Sequence, residues 1–313
     1  MLSSLLVSMN AVFPIMLLMV TGAVLGKSQK LSVATGKQMN QIVYTLLLPI
    51  VLFMSIYQSD LTIAIDSELI LFCTGAIVLT FGLLMFLIPK FFKNRKQQGV
   101  IVMNILRSNC VLFGLQIAEA IYGAKNVGLI AILMTIVVPL FNMLDVFALV
   151  VSAGEKQSVM DIVKKVFINP LMIMALTGVI IRFLNLQLPT FTVTFLSMLK
   201  GLATPLALLV LGANFDIVKL KDNRVPLGVI ILGKLILLPL IVLSCSIALG
   251  FTNEALLGIM ITFCAPSAVS SYSLAVVYNS DEQLAGQALA LTTVLSVITL
   301  FGWIFILNYF HLL

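Results

Sequence analysis

Five ionisable side chains stand inside otherwise apolar runs of this sequence: Arg107, Glu119, Asp145, Lys200 and Lys234. A charge among hydrocarbon-like residues is costly, so each is expected to face a partner, a cavity or an interface, and each is a candidate for chemistry. Arg107 can balance the charge of an anion, or it can pair with Glu119 or Asp145. Glu119 and Asp145 are the groups able to carry a proton; Glu119 with Gln116 could instead offer oxygens to a sodium ion, although two side chains make a sparse ligand set. Lys200, five residues before Pro205, either lines a cavity or extends its stem towards the outer face. Lys234, a turn or two inside the basic end of its segment, is expected to snorkel. His311, the sole histidine, reads as an interfacial tail residue.

Two irregular stretches could gather such groups into a site, ILRSNCVLFGLQIAEAIYG (105–123) and ITFCAPSAVSSYSLAVVYN (261–279), both polar near their centres. In the second, Pro266 removes a backbone donor and disfavours helical geometry at Ala265, while Ser267, Ser270, Ser271 and Ser273 can satisfy freed backbone groups. In the first, Asn109 precedes Cys110 and suits a helix N-cap. Two broken helices are expected. Half-helices that restart at mid-depth point their N–H groups and positive dipole ends into the protein, which makes a ready site for an anion such as a carboxylate. The competing reading is that Pro266 merely kinks a continuous helix.

Other chemistries lack support. No GxxxxGK[ST] loop, HExxH pair or GxSxG elbow occurs, so nucleotide-driven transport by this chain alone, the commoner membrane hydrolases and enzymatic activity in general are not expected, nor are a cofactor or a metal. The four cysteines lie in apolar segments without CxxC spacing and read as small buried hydrophobes. The fifteen methionines read as core and lipid-facing filler.

The elements that must position these residues follow from composition. Of 313 residues, 61% are hydrophobic and 10% charged, with mean hydropathy +1.18, whereas a soluble domain carries about 25% charge. Apolar runs such as 69–89 and 226–250 are long enough to cross a hydrocarbon core of about 30 Å. Ten spans are expected, at 4–26, 39–58, 68–89, 97–122, 127–151, 168–187, 191–214, 226–250, 254–278 and 282–310. The N-terminal stretch has neither a basic n-region nor a small-residue cleavage site, so it reads as a retained first span rather than a signal peptide. Alternate loops carry Lys27, Lys30 and Lys37, then Lys90, Lys93, Arg95 and Lys96, then Lys156, Lys164 and Lys165, then Lys219, Lys221 and Arg224; the opposite loops carry Lys125 and Arg182. Positive charge marks the cytoplasmic side, which puts both termini outside and accounts for the net charge of +6 without nucleic acid.

A gap-free shift of 156 residues superposes Pro14 on Pro170, Thr21 on Thr177, Gly22 on Gly178, Pro49 on Pro205, Asp60 on Asp216 and Tyr122 on Tyr278. Each half holds five expected spans, an odd number, so the second must insert inverted relative to the first. The expected organisation is a repeat over 1–154, an amphipathic cytoplasmic linker over 155–166 (EKQSVMDIVKKV) and an inverted repeat over 167–313.

Four stretches resemble the auxin efflux carrier family, in its bacterial branch with malate and malonate carriers: YTLLLPIVLFMSIYQSDL (44–61), RSNCVLFGLQIAEAIYG (107–123), FINPLMIMALTGVIIR (167–182) and APSAVSSYSLAVVYNSDEQLAG (265–286). The resemblance covers nearly the whole chain. It implies an all-α membrane protein with a bile acid sodium symporter-like fold: ten transmembrane helices in two inverted five-helix repeats, spans 4 and 9 broken and crossing at the substrate. Spans 1, 2, 6 and 7 would form a scaffold against which spans 3–5 and 8–10 move. Asn109 and Pro266 would mark the crossover, with Ser108, Cys110, Ala265 and Ser267 near the substrate and Arg107 and Lys200 available to its charge. Cys110 stands where a proline or an aromatic is expected, a departure bearing on selectivity, and sodium coupling is not implied. The expectation is a permease in a bacterial cytoplasmic membrane for a mono- or dicarboxylate such as malate, malonate or an auxin-like acid. Its partners would be that anion, membrane lipid and, where it assembles, a second copy in a homodimer. A channel and a receptor on the same fold are the alternatives.

Overall fold

The computed structural model describes residues 2–58, 66–110, 117–118, 121, 128–153, 168, 170–184, 186–214 and 223–313. Among them the chain is helical and holds no strand. The helices are α1 (Leu2–Lys27), α2 (Val33–Ile42), α3 (Leu48–Tyr57), α4 (Ser67–Phe91), α5 (Arg95–Leu106), α6 (Gly128–Ser152) and α7 (Pro170–Phe183). There follow α8 (Thr190–Asn214), α9 (Arg224–Leu232), α10 (Leu238–Ala248), α11 (Asn253–Cys264), α12 (Val269–Val277) and α13 (Glu282–Tyr309). Six described segments are long and apolar enough to cross a membrane: Ser67–Phe91, Ile132–Ser152, Thr190–Ala213, Arg224–Ala248, Asn253–Val277 and Glu282–Tyr309. The linker 155–166 and the repeat matches Asp60, Asp216 and Tyr122 lie outside the described residues.

Helix starts follow local chemistry. The side chains of Ser32, Asp66, Asn94 and Asp281 accept from backbone N–H groups in the first turns of α2, α4, α5 and α13, meeting donors that have no partner inside the helix. Proline shapes the interiors. Before Pro49 the helix widens to a π turn over Val43–Leu47, with Leu48 N–H bonding Val43 C=O, and α2, this turn and α3 run as one rod. Before Pro239 the turn Gly233–Leu237 does the same between α9 and α10. An extra residue in the turn relieves the clash between a proline ring and the carbonyl four residues back. At Pro239 that carbonyl belongs to Leu235, and it accepts from the indole Nε1 of Trp303 at 3.1 Å.

Packing divides the helices into two groups. α1, α2, α3, α7 and α8 pack on one another, chiefly α1 on α8 and α3 on α7. The rest form the second group, with α5 on α6 and α4, α10 on α11, and α13 on α12, α9 and α5. The groups meet where α1 touches α13, α2 and α8 touch α12, and α3 and α7 touch α6. In the first group α1 and α8 approach backbone to backbone: a Cβ on Gly22, Gly26 or Gly212 would overlap the carbonyl oxygen of Leu209, Ala213 or Met19 respectively. Glycine four residues from glycine is the usual means of so close a membrane crossing. On the α3–α7 side, a Cβ on Gly178 would stand 3.3 Å from the carbonyl oxygen of Phe53.

Candidate functional site

Both irregular stretches break where the sequence predicts. α5 ends at Leu106, and Arg107 takes extended geometry (φ −76°, ψ 129°). α11 ends at Cys264, with Ala265 at φ −64° and ψ 150°, and helix resumes at Val269. Pro266 enforces this second break: its ring excludes Ala265 from helical geometry. The extended segments cross and bond directly. Asn109 N–H donates to the Pro266 carbonyl at 2.7 Å, Ser267 Oγ donates to the Asn104 carbonyl at 2.9 Å, and Ser267 N–H reaches Thr292 Oγ1 at 3.3 Å. The kinked but continuous helix is thereby excluded for residues 253–277.

A cavity of about 100 Å³ opens beside the crossing, between the two helix groups. Arg107, Ser108, Asn109 and Cys110 form one wall. Ala268, Val269 and Ser270, the first turn of α12, form another. α12 has no side-chain cap, so its leading N–H groups present the positive helix end to the cavity. The first group closes the opposite side with Leu48 and Val51 of α3 and Thr204 and Ala207 of α8. Asn109 is 9% exposed, and its side-chain amide bonds no described residue.

Charge is concentrated behind the first wall. Arg107 Nη1 donates at 2.6 Å to both Asn142 Oδ1 and Asp145 Oδ2 on α6. Of the alternatives for Arg107, pairing with Asp145 is therefore realised, although Arg107 still lines the cavity. Asp145 Oδ1 is buried without a partner among the described residues. Lys234 departs from the expected snorkelling: it is fully buried, and its ammonium donates to Ser108 Oγ at 2.5 Å and to the Leu106 carbonyl at 3.3 Å. The reason is local. Lys234 sits in the π turn, whose extra residue re-aims side chains, and neighbouring Gly233 lets the turn lie against Ile105 of α5. The cation thus caps the carbonyl end of α5, where the helix dipole favours it.

The other expected site residues fall in three places. Ala265, Pro266 and Ser267 are buried behind the cavity and hold the crossing together. Lys200 is not among the residues that line the cavity, and its Nζ donates to Gln58 Oε1 at 3.1 Å. Glu119 and Gln116 lie outside the described residues. Sequence reasoning overlooked Asn142, Thr204 and Ser270 as site residues. Asn142 was within reach, because it precedes Asp145 by three positions and so shares its helix face.

A broken-helix crossing beside a cavity between two helix groups is the architecture of a membrane carrier, and sequence relationships place the chain accordingly. The family model described as membrane transport protein matches residues 7–304, and the chain belongs to that family, the auxin efflux carriers. An uncharacterized transporter of Methanothermobacter thermautotrophicus is 25% identical over 300 residues, covering 95% of this chain and 97% of the relative. The chain is an integral membrane transporter, not an enzyme.

Proposed function

We propose that this chain is a secondary transporter that moves a small organic anion, a mono- or dicarboxylate, across a bacterial cytoplasmic membrane by alternating access. The observation that carries the reading is the composition of the cavity: the uncapped start of α12, Asn109, whose amide bonds no described residue, and Arg107 line one space that no carboxylate side chain lines among the described residues. Backbone N–H groups, an amide and a guanidinium are donors suited to a carboxylate. Asn109 and the leading N–H groups of α12 hold the carboxylate; Ala265, Pro266 and Ser267 fix the crossing that aims them.

The proposed topology is ten spans in two inverted repeats, 1–154 and 167–313, joined by a cytoplasmic linker, with both termini outside. Three pairs of features, each related by the 156-residue shift, support it. The Gly22–Leu209 approach becomes Gly178–Phe53. The bond from Thr21 Oγ1 to the Leu17 carbonyl becomes that from Thr177 Oγ1 to the Ile173 carbonyl. Leu48 and Val51 in the cavity wall become Thr204 and Ala207. The packing supports a scaffold of α1, α2, α3, α7 and α8 and a moving group of the rest, with the cavity at their junction.

The test is a thermal-shift screen of carboxylates on purified protein, followed by liposome uptake of each hit under imposed proton or sodium gradients. Asn109→Ala is expected to lower affinity for the hit at least about tenfold, near 1.4 kcal/mol. A ligand set without acids, or an Asn109→Ala protein that binds and transports normally, would remove the basis for this site.

A further inference from the structure

Resting on the carboxylate reading above, we propose that the site selects a short monoanion over a dianion, and that Lys234 is the positioning residue that sets this charge preference. The inference starts from the three charged side chains packed around the crossing. Arg107 and Asp145 form a buried ion pair at 2.6 Å and neutralise one another. Lys234 has no ion pair among the described residues and meets only neutral acceptors, Ser108 Oγ and the Leu106 carbonyl. Among the described residues the cluster therefore carries one formal positive charge beyond balance, with all three side chains buried.

That surplus reaches the cavity through its wall. Ser108 lines the cavity and holds the Lys234 ammonium, and the Arg107 guanidinium flanks Ser108 in the chain. A single carboxylate in the cavity completes the charge balance, with the α12 N–H groups and the Asn109 amide as its direct donors. A second carboxylate on the same ligand would exceed the one surplus positive charge, and the described residues of the facing wall, Leu48, Val51, Thr204 and Ala207, offer it a hydroxyl but no cation. An unpaired buried charge is strongly disfavoured. The space of about 100 Å³ limits the ligand to a few carbons, so that mono- and dicarboxylates of that size are told apart by charge. Lys234 acts through Ser108, without touching the ligand.

The experiment measures affinities of acetate, propionate and lactate against malonate and succinate on the purified full chain at about pH 7.5, where the dicarboxylates are largely doubly ionised. The wild type is expected to favour the best monocarboxylate by about tenfold or more. Lys234→Met should abolish that binding, Lys234→Arg should retain the preference, and Asp145→Asn, which adds one formal positive charge, should move the ratio about tenfold towards dicarboxylates. An Asp145→Asn ratio that does not move, or a folded Lys234→Met protein that keeps the wild-type preference as a purely structural Lys234 would, overturns the proposal. Equal or tighter binding of dicarboxylates by the wild type also overturns it, and this ratio decides if the variants fail to fold. Absence of binding by every acid instead removes the carboxylate reading itself.

Discussion

Asp145 has one oxygen on Arg107 and another that touches no described donor, so its burial depends on a single partner. Replacing Arg107 with Gln removes the counter-charge and leaves a carboxylate stranded at 1% exposure. Breaking a buried pair from one side costs about 3 kcal/mol or more, whereas removing both charges costs far less. Arg107→Gln is therefore expected to lower the unfolding midpoint sharply, and Arg107→Gln with Asp145→Asn to recover most of the loss. Titration in a mild detergent with denaturant measures both; equal destabilisation by the single and double variants would show that the pair is not what holds Asp145. Trp303 is a smaller case. Trp303→Phe keeps an aromatic ring of smaller size but loses the indole N–H bond to the Leu235 carbonyl beside Pro239, with an expected cost of about 1 kcal/mol or more in the same assay.

At the scale of elements, the break between α11 and α12 rests on one ring. Pro266→Ala restores a backbone donor and permits helical geometry at Ala265, so the Asn109–Pro266 and Ser267–Asn104 bonds lose their geometry. Uptake is expected to fall at least about tenfold, because a 1 Å misplacement of binding groups can cost more than that. Transport at the wild-type rate would contradict a crossing held by proline. This break was legible in the sequence since proline acts on its immediate neighbour through sterics alone. The inward turn of Lys234 was not legible. Its direction depends on the π turn before Pro239 and on Gly233 meeting Ile105, contacts made between segments far apart in the chain. For Lys200 the sequence left open a cavity or the outer face, and its bond to Gln58 was set by packing that the sequence does not show. Apolar run length gave good positions for the spans at α4, α8 and α13, because lipid imposes length and polarity directly on the chain.

Over the whole molecule, one ladder of polar contacts ties the two helix groups together. Lys37 meets Glu282 at 3.4 Å, Ser273 Oγ donates to Asn40 Oδ1 at 2.8 Å, and Tyr44 bonds Tyr278 through their hydroxyls at 3.4 Å. Positions 37, 40 and 44 share one face of the α2 rod, and their partners lie on α12, at its C-terminal end and on α13. Relative motion of the groups must break these contacts together. Ser273→Ala removes the best-formed one, worth about 1 kcal/mol, enough to change a two-state population about fivefold. Labelling of a cysteine placed at Thr204 by a membrane-impermeant thiol reagent added on the side of Lys37 is expected to accelerate by about that factor. An unchanged rate would mean that the ladder does not resist the motion.

The two glycine contacts carry a consequence for ancestry. On the proposed repeat, Gly22 against Leu209 and Gly178 against Phe53 are a single contact made twice, each glycine on one half and its neighbour on the other. Such reciprocity is what a two-fold homodimer produces. The proposed repeat therefore implies a five-helix ancestor able to insert in both orientations and to pair with its own inverted copy. The two contacts are not equally close: at α1–α8 an added Cβ would overlap backbone outright, whereas at α3–α7 it would stand 3.3 Å from the Phe53 carbonyl oxygen, so the first interface is the more firmly locked of the pair.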